Sequence, residues 1–163
     1  MATALSPKTE GPGWKRFLDF LETGSPGANS YVVLLGLETF DSPQLLRSVE
    51  HGFPYSTFER LVANTSLATD DALVLVDIPL RTLTRRKSEG RFRQDESDRL
   101  LRASRIFARA LSLFEGDRDA AKQWLSRPQK ALGGEAPLAV ARTEVGALEV
   151  ERLIGRLEHG VFT

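Results

Sequence analysis

The stretch Asp77-Ile78-Pro79-Leu80-Arg81-Thr82-Leu83-Thr84-Arg85-Arg86-Lys87 constrains the fold of this chain most. Pro79 disfavours helical geometry at Ile78, so Asp77 to Pro79 reads as a tight turn. Ahead of the turn, Thr69-Asp70-Asp71 supplies a hydroxyl cap and two acids that complement a helix dipole, and Ala72, Leu73, Leu75 and Val76 supply apolar positions. Behind it, a helix is expected from about Pro79 to Ser88, closed by Gly90. Two short helices joined by so short a turn make the helix-turn-helix plan, whose second helix enters the major groove of DNA.

Charge supports that reading. Six of the thirteen residues from Arg81 to Arg93 are Lys or Arg and only Glu89 is acidic, a local charge of +5 in a chain whose formal net charge is +0. A localised cationic patch on a neutral chain points to a polyanionic partner. Leu80 and Leu83 are expected to pin the helix to its neighbours. That leaves Arg81, Thr82, Thr84, Arg85, Arg86 and Lys87 for bases and phosphates. The competing reading is a solvated basic face with no ligand.

The rest of the chain reads as helical. Residues 1–40 are expected to be a mobile leader carrying one short amphipathic helix, with Trp14, Phe17, Leu18 and Leu21 on the face that docks on the core. Gly24-Ser25-Pro26-Gly27 breaks that helix. Tyr31 to Leu35 is an apolar run that period alone leaves open, as an isolated extended piece or one helical turn. Ser42-Pro43 starts a helix with Leu45, Leu46 and Val49 as its buried stripe, and His51-Gly52 ends it. A further helix, about Ser56 to Asn64 and capped at Ser56 or Tyr55-Ser56, buries Phe58, Leu61 and Val62. The helix-turn-helix unit is placed at residues 41–93.

After Arg93, Asp95-Glu96-Ser97-Asp98 opens a helix running to about Phe114, with Leu100, Ala103, Phe107, Ala110, Leu111 and Phe114 as its stripe. Arg102, Arg105 and Arg109 form a ladder on another face, of the kind that is solvated, ion-paired or flanking an interface. Gly116-Asp117 begins a shorter helix through Trp124 and Leu125, stopped by Arg127-Pro128. Gly133-Gly134 is a turn, since it lacks the spacing and Lys-Ser/Thr of a phosphate loop. Pro137 to His159 reads as one short and one longer helix, broken near Thr143 to Gly146, followed by a tail through Phe162. The fold class is therefore all-α, with a second helical unit over residues 94–163.

Composition bounds the chemistry. The chain has no cysteine and two distant histidines, His51 and His159, which cannot build the usual zinc sites. No P-loop, dinucleotide fingerprint or nucleophile elbow occurs, so no cofactor is expected and the chain reads as a binding protein rather than an enzyme. The absence of cysteine and of any apolar run long enough for a membrane span is compatible with a cytoplasmic location.

Ile78 to Lys87, followed by Glu96-Ser97-Asp98-Arg99-Leu100-Leu101-Arg102, closely resembles the Xre/MbcA/ParS-type antitoxins. Ala120-Ala121, Trp124-Leu125, Pro137-Leu138, Thr143, Gly146, Val150-Glu151 and Gly160-Val161 are similar to that family's toxin-binding domain. The resemblance covers about residues 45–163, with Arg93-Gln94 standing where a small cap residue and a Pro are usual. It implies a type II antitoxin whose partner is a NAD-consuming RES-domain toxin. Its C-terminal segment would cover the toxin's active site, and the helix-turn-helix would repress the chain's own operon. Arg152, Arg156, His159 and Phe162 would then make the toxin contacts. One helix-turn-helix reads one half-site, so a homodimer is expected on DNA. The alternative is a stand-alone regulator whose C-terminal half mediates dimerisation.

Overall fold

A computed structural model describes residues 12–25 and 27–160; Phe162 and the polar stretch before Pro12 lie outside the described residues. Among the described residues, regular structure is helical, with isolated bridges at Pro54–Arg91 and Gln129–Glu135 in place of a sheet. The helices are α1 (Gly13–Thr23), α2 (Ser42–His51), α3 (Ser56–Thr65), α4 (Thr69–Val76), α5 (Leu80–Glu89), α6 (Gln94–Leu113), α7 (Arg118–Ser126), α8 (Pro137–Val140) and α9 (Glu144–Glu158).

The 20-residue helix α6 is the spine. Leu100, Ala103, Ile106, Phe107, Ala110 and Leu111 are fully buried along it. It contacts α1, α2, α3, α4, α7 and α9. At 1.5 Å per residue it spans about 30 Å, enough to reach from the helix-turn-helix to the C-terminal helices.

Within the stretch expected as a leader, the amphipathic helix is α1, and the described residues around it pack on the core. Tyr31 to Leu35 lies in a 3-10 segment, Ser30–Leu35, that packs on α1, α3 and α6. Val32, Val33, Leu34 and Leu35 are at most 2% exposed. Burial on every side explains why this run shows neither helical nor strand periodicity. Asn64, buried in α3, ties the region down. Its amide donates to the Leu34 carbonyl at 2.9 Å, and its Oδ1 accepts the Gly13 N–H at 2.7 Å. Two backbone groups that would otherwise be orphaned are thereby satisfied.

Smaller corrections concern caps and stripes. Leu45 and Val49 are buried on α2, but Leu46 is 58% exposed, one position off the inward face. Thr69 is the first helical residue of α4, and the cap position is Ala68. Tyr55 likewise precedes α3 without a side-chain cap bond. Asp117 does cap α7, accepting from Ala120 N–H at 3.0 Å, and Thr143 caps α9 by accepting from Gly146 N–H at 3.0 Å.

Close backbone approach requires glycine at Gly52 and Gly146, as it also does at Gly13. At Gly52, φ is 91° and an added Cβ would stand 2.1 Å from the Phe92 carbonyl oxygen. At Gly146, in the first turn of α9, it would stand 1.8 Å from the Val140 carbonyl oxygen of α8. The sharp α8–α9 corner depends on that missing carbon.

Candidate functional site

The α4–α5 turn is built as the sequence implies. Asp77 adopts a left-handed conformation (φ 55°) that ends α4, its N–H capping the Val74 carbonyl, and Ile78 is buried. Pro79, extended at ψ 148°, leads into α5. Arg99 of α6 donates to the Asp77 carbonyl at 3.0 Å, holding the turn from the far side.

On α5 the inward residues are Leu83 and Arg86, 5% and 1% exposed. Arg81, Thr84, Arg85 and Lys87 are exposed and Thr82 is half-buried. Thr84 spends its hydroxyl proton on the Leu80 carbonyl at 3.0 Å, leaving its methyl and oxygen lone pairs outward. Two expectations change. Arg86 does not face a DNA groove, because it falls three residues after Leu83 and so shares its inward face. Leu80 does not pin the helix, being 62% exposed at its first position.

Arg86 is tied instead into α6. Its Nε donates to Glu96 Oε1 at 2.6 Å and its Nη1 donates to Glu89 Oε2 at 3.0 Å. The same Glu96 oxygen accepts the Arg93 N–H at 2.8 Å, satisfying the N-cap backbone donor at the start of α6, as the acidic half of a capping box does. Burial pushes the Glu96 carboxyl up, but the hydrogen bonds from Arg86 and Arg93 with their positive charge outweigh it, holding it below the usual carboxylate range. The hydrogen bond to Glu96 raises the Arg86 guanidinium. Ser97 completes the lock. It accepts the Phe53 N–H at 2.8 Å and donates to the Arg93 carbonyl at 2.8 Å. The Glu96-Ser97-Asp98-Arg99 segment is therefore a structural clasp between α5 and α6.

In the arginine ladder, Arg105 and Arg109 are ion-paired and Arg102 bonds backbone carbonyls. Arg105 Nε lies 2.6 Å from Glu151 Oε1, its Nη2 lies 3.0 Å from Glu144 Oε1, and Arg109 lies 3.4 Å from Glu158 Oε2. Arg102 donates to the Ala141 carbonyl at 3.1 Å and also to the Arg142 carbonyl. Burial lowers the Arg105 guanidinium, but Glu151 and Glu144 outweigh it and the group is raised. The ladder zips α6 to α9 along its length.

The sequence-assigned toxin contacts fall on and after α9. Arg152 is exposed and paired to Glu149 at 2.5 Å, Arg156 one turn later is half-buried, and His159 is exposed at the C-cap. Phe162 lies outside the described residues. Sequence reasoning did not separate Val145 and Leu148 from the buried positions, yet they are 75% and 43% exposed. Their displacement from the Ala147, Val150, Leu153 and Ile154 stripe is the pattern that marks them. A groove of about 410 Å³ lies among α1, the 3-10 segment, α6 and α9, lined by Phe17, Leu21, Tyr31, Arg105 and Glu151. Its Arg105 and Glu151 are paired with each other, and Arg109, also on its lining, is paired with Glu158. Among the described residues, no cluster of three metal-ligating side chains occurs and no helix is long and apolar enough to cross a membrane.

A helix-turn-helix with an outward cationic helix, clasped to a spine that carries a second helical unit, defines a two-part DNA-binding regulator. Residues 44–105 match the Antitoxin Xre-like helix-turn-helix domain, and residues 109–160 match the Antitoxin Xre/MbcA/ParS C-terminal toxin-binding domain. "Antitoxin Xre" of Yersinia enterocolitica is 41% identical over 130 residues, 79% of this chain and 88% of that protein. "Antitoxin Xre" of Photorhabdus laumondii is 37% identical over the same shares, and that of Pseudomonas putida 38% identical over 51% of this chain and 52% of its own length. The chain belongs to the Xre antitoxin family. Its two domain matches meet within α6, between residues 105 and 109.

Proposed function

We propose that this chain neutralises a RES-domain, NAD-consuming toxin by covering its active site with the C-terminal segment. In the same reading it represses its own operon through α4 and α5, bound to DNA as a homodimer in the cytoplasm. The observation that carries the reading is the division of α5. The Arg86–Glu96 pair fixes the helix to α6, while Arg81, Arg85 and Lys87 are left outward where phosphates can reach them. The RES assignment rests on the likeness of Ile78 to Lys87 and Glu96 to Arg102 to the Xre/MbcA/ParS pattern. Arg152, Arg156 and His159 are the proposed polar contacts to a site made for an anionic dinucleotide, with Phe162 as an apolar anchor.

Co-expression with the adjacent reading frame, followed by co-purification and measurement of cellular NAD, tests the protective half. A stable complex and preserved NAD are expected, with NAD falling when the frame is expressed alone. A chain that forms dimers, binds its upstream DNA and leaves NAD to fall would overturn toxin neutralisation in favour of a stand-alone regulator. Deleting residues 156–163 is expected to abolish protection; full protection by the truncated chain would remove the C-terminal plug from the mechanism.

A further inference from the structure

We infer that Leu80 is a specificity-determining residue of the DNA-reading helix, making apolar contact with the C5-methyl group of a thymine in the major groove. The inference rests on the DNA-binding reading above and adds to it which base is read, and by which side chain.

Leu80 is the first helical residue of α5, and N-terminal residues of the second helix are the ones that reach base edges in this motif. It is 62% exposed, although Leu83 one turn later is buried. Side chains on a helix lean toward its N-terminus, so Leu80 projects ahead of the helix rather than beneath it. There it borders an open groove with Val74, Asp77, Pro79, Arg99 and Arg142. Thr84 stands one turn along on the same face, and the exposed Arg81 and Arg85 lie to one side of it on the same helix. These groups suit phosphate oxygens and guanine or thymine edges, so the leucine stands at the border of the helix's cationic face, at the helix end that reaches base edges in this motif. A leucine carries no donor or acceptor. The thymine methyl is the one apolar group that the major groove presents, so a leucine there distinguishes thymine by contact alone.

The test uses the full chain and a duplex selected by it from a random-sequence pool. Each thymine is replaced in turn by deoxyuridine, which lacks only the methyl, and binding is compared for the wild type and Leu80→Ala. At one thymine per half-site the wild type should lose about fourfold in affinity, the worth of one buried methyl. Leu80→Ala should bind the thymine and deoxyuridine duplexes alike, while preference at other positions is retained. If the wild type binds specifically and no deoxyuridine substitution depends on Leu80, the inference is overturned and the DNA-binding reading stands. If the wild type selects no sequence, the DNA-binding reading itself fails. If Leu80→Ala instead abolishes self-association, with no dependence on the methyl, the leucine belongs to a contact between copies and the inference falls.

Discussion

Arg86 Nε and Glu96 Oε1 stand 2.6 Å apart with both side chains at most 5% exposed, joining α5 to α6, the spine of the protein. Two charges so placed have been stripped of water, and each is tolerable only because the other is present. Glu89, half exposed, adds a peripheral partner that contributes little by comparison. The densest basic segment of the chain thus divides into an inward structural cation and outward cations available to a ligand.

Arg86→Ala is expected to leave Glu96 charged and buried without its partner. Removal of one member of such a pair costs about 3–5 kcal/mol, a fall in Tm on the order of 10 °C for a chain of this size. Arg81→Ala with Arg85→Ala should leave Tm nearly unchanged and weaken DNA binding. It should also reduce the salt slope by about one for each phosphate that is no longer neutralised. Calorimetry and salt-dependent DNA titration on the two variants check this. Equal losses of Tm would contradict the division of α5.

Burial raises the Glu96 carboxyl, yet Arg86 and the Arg93 N–H together hold it below its ordinary range. A depressed folded value means that the pair's stabilisation is fully present above the unfolded carboxylate pKa, about 4.3. It is lost as pH falls through the depressed value in the folded state. Glu96→Gln cannot ionise, so it should be less stable at neutral pH, and the gap to wild type should narrow as the solution is acidified. Denaturant unfolding across the acid range reads this directly. A gap independent of pH would assign the effect to shape rather than charge.

Much of the architecture is legible from local chemistry. Pro79 fixes the turn, Asp117 and Thr143 announce their helices by capping, and the α6 stripe follows helical period. What escapes is tertiary. Val32 to Leu35 carry no periodicity because every face is buried, and the neighbours that bury them come from α1, α3 and α6. Arg86 is assigned outward by its residue type, although its spacing from Leu83 places it inward and Glu96 supplies the counter-charge ten residues on. Leu80 shares the Leu83 stripe by period, but a first-turn side chain leans past the helix end, so period overstates its burial.

Two glycines of α9 should respond oppositely to alanine. At Gly146 a Cβ would meet the backbone Val140 oxygen at 1.8 Å, which cannot yield without moving α8; a loss of about 1–3 kcal/mol is expected. Gly155 has nothing within 4 Å of its added Cβ, and Gly155→Ala should stabilise by about 0.5–1 kcal/mol through helix propensity. Thermal unfolding of the pair separates the two outcomes, and a stabilised Gly146→Ala would refute the tight α8–α9 corner.

Val145 and Leu148 present apolar surface from the half of the chain that matches the toxin-binding domain. They lie three residues apart, on one face of α9, with Arg152 a further turn along. Apolar side chains rimmed by charge are the pattern of a partner contact, and neither residue belongs to the buried core. Val145→Asp with Leu148→Asp should therefore leave stability within about 1 kcal/mol of wild type, since surface substitutions rarely exceed that. The same variant should lose co-purification with the toxin and protection of cells, while DNA binding through α5 persists. If the doubly substituted chain still captures the toxin, the contact lies on another face of the C-terminal half. Arg152→Ala and Arg156→Ala, one exposed and one half-buried, would then be the next variants to measure in the same capture assay.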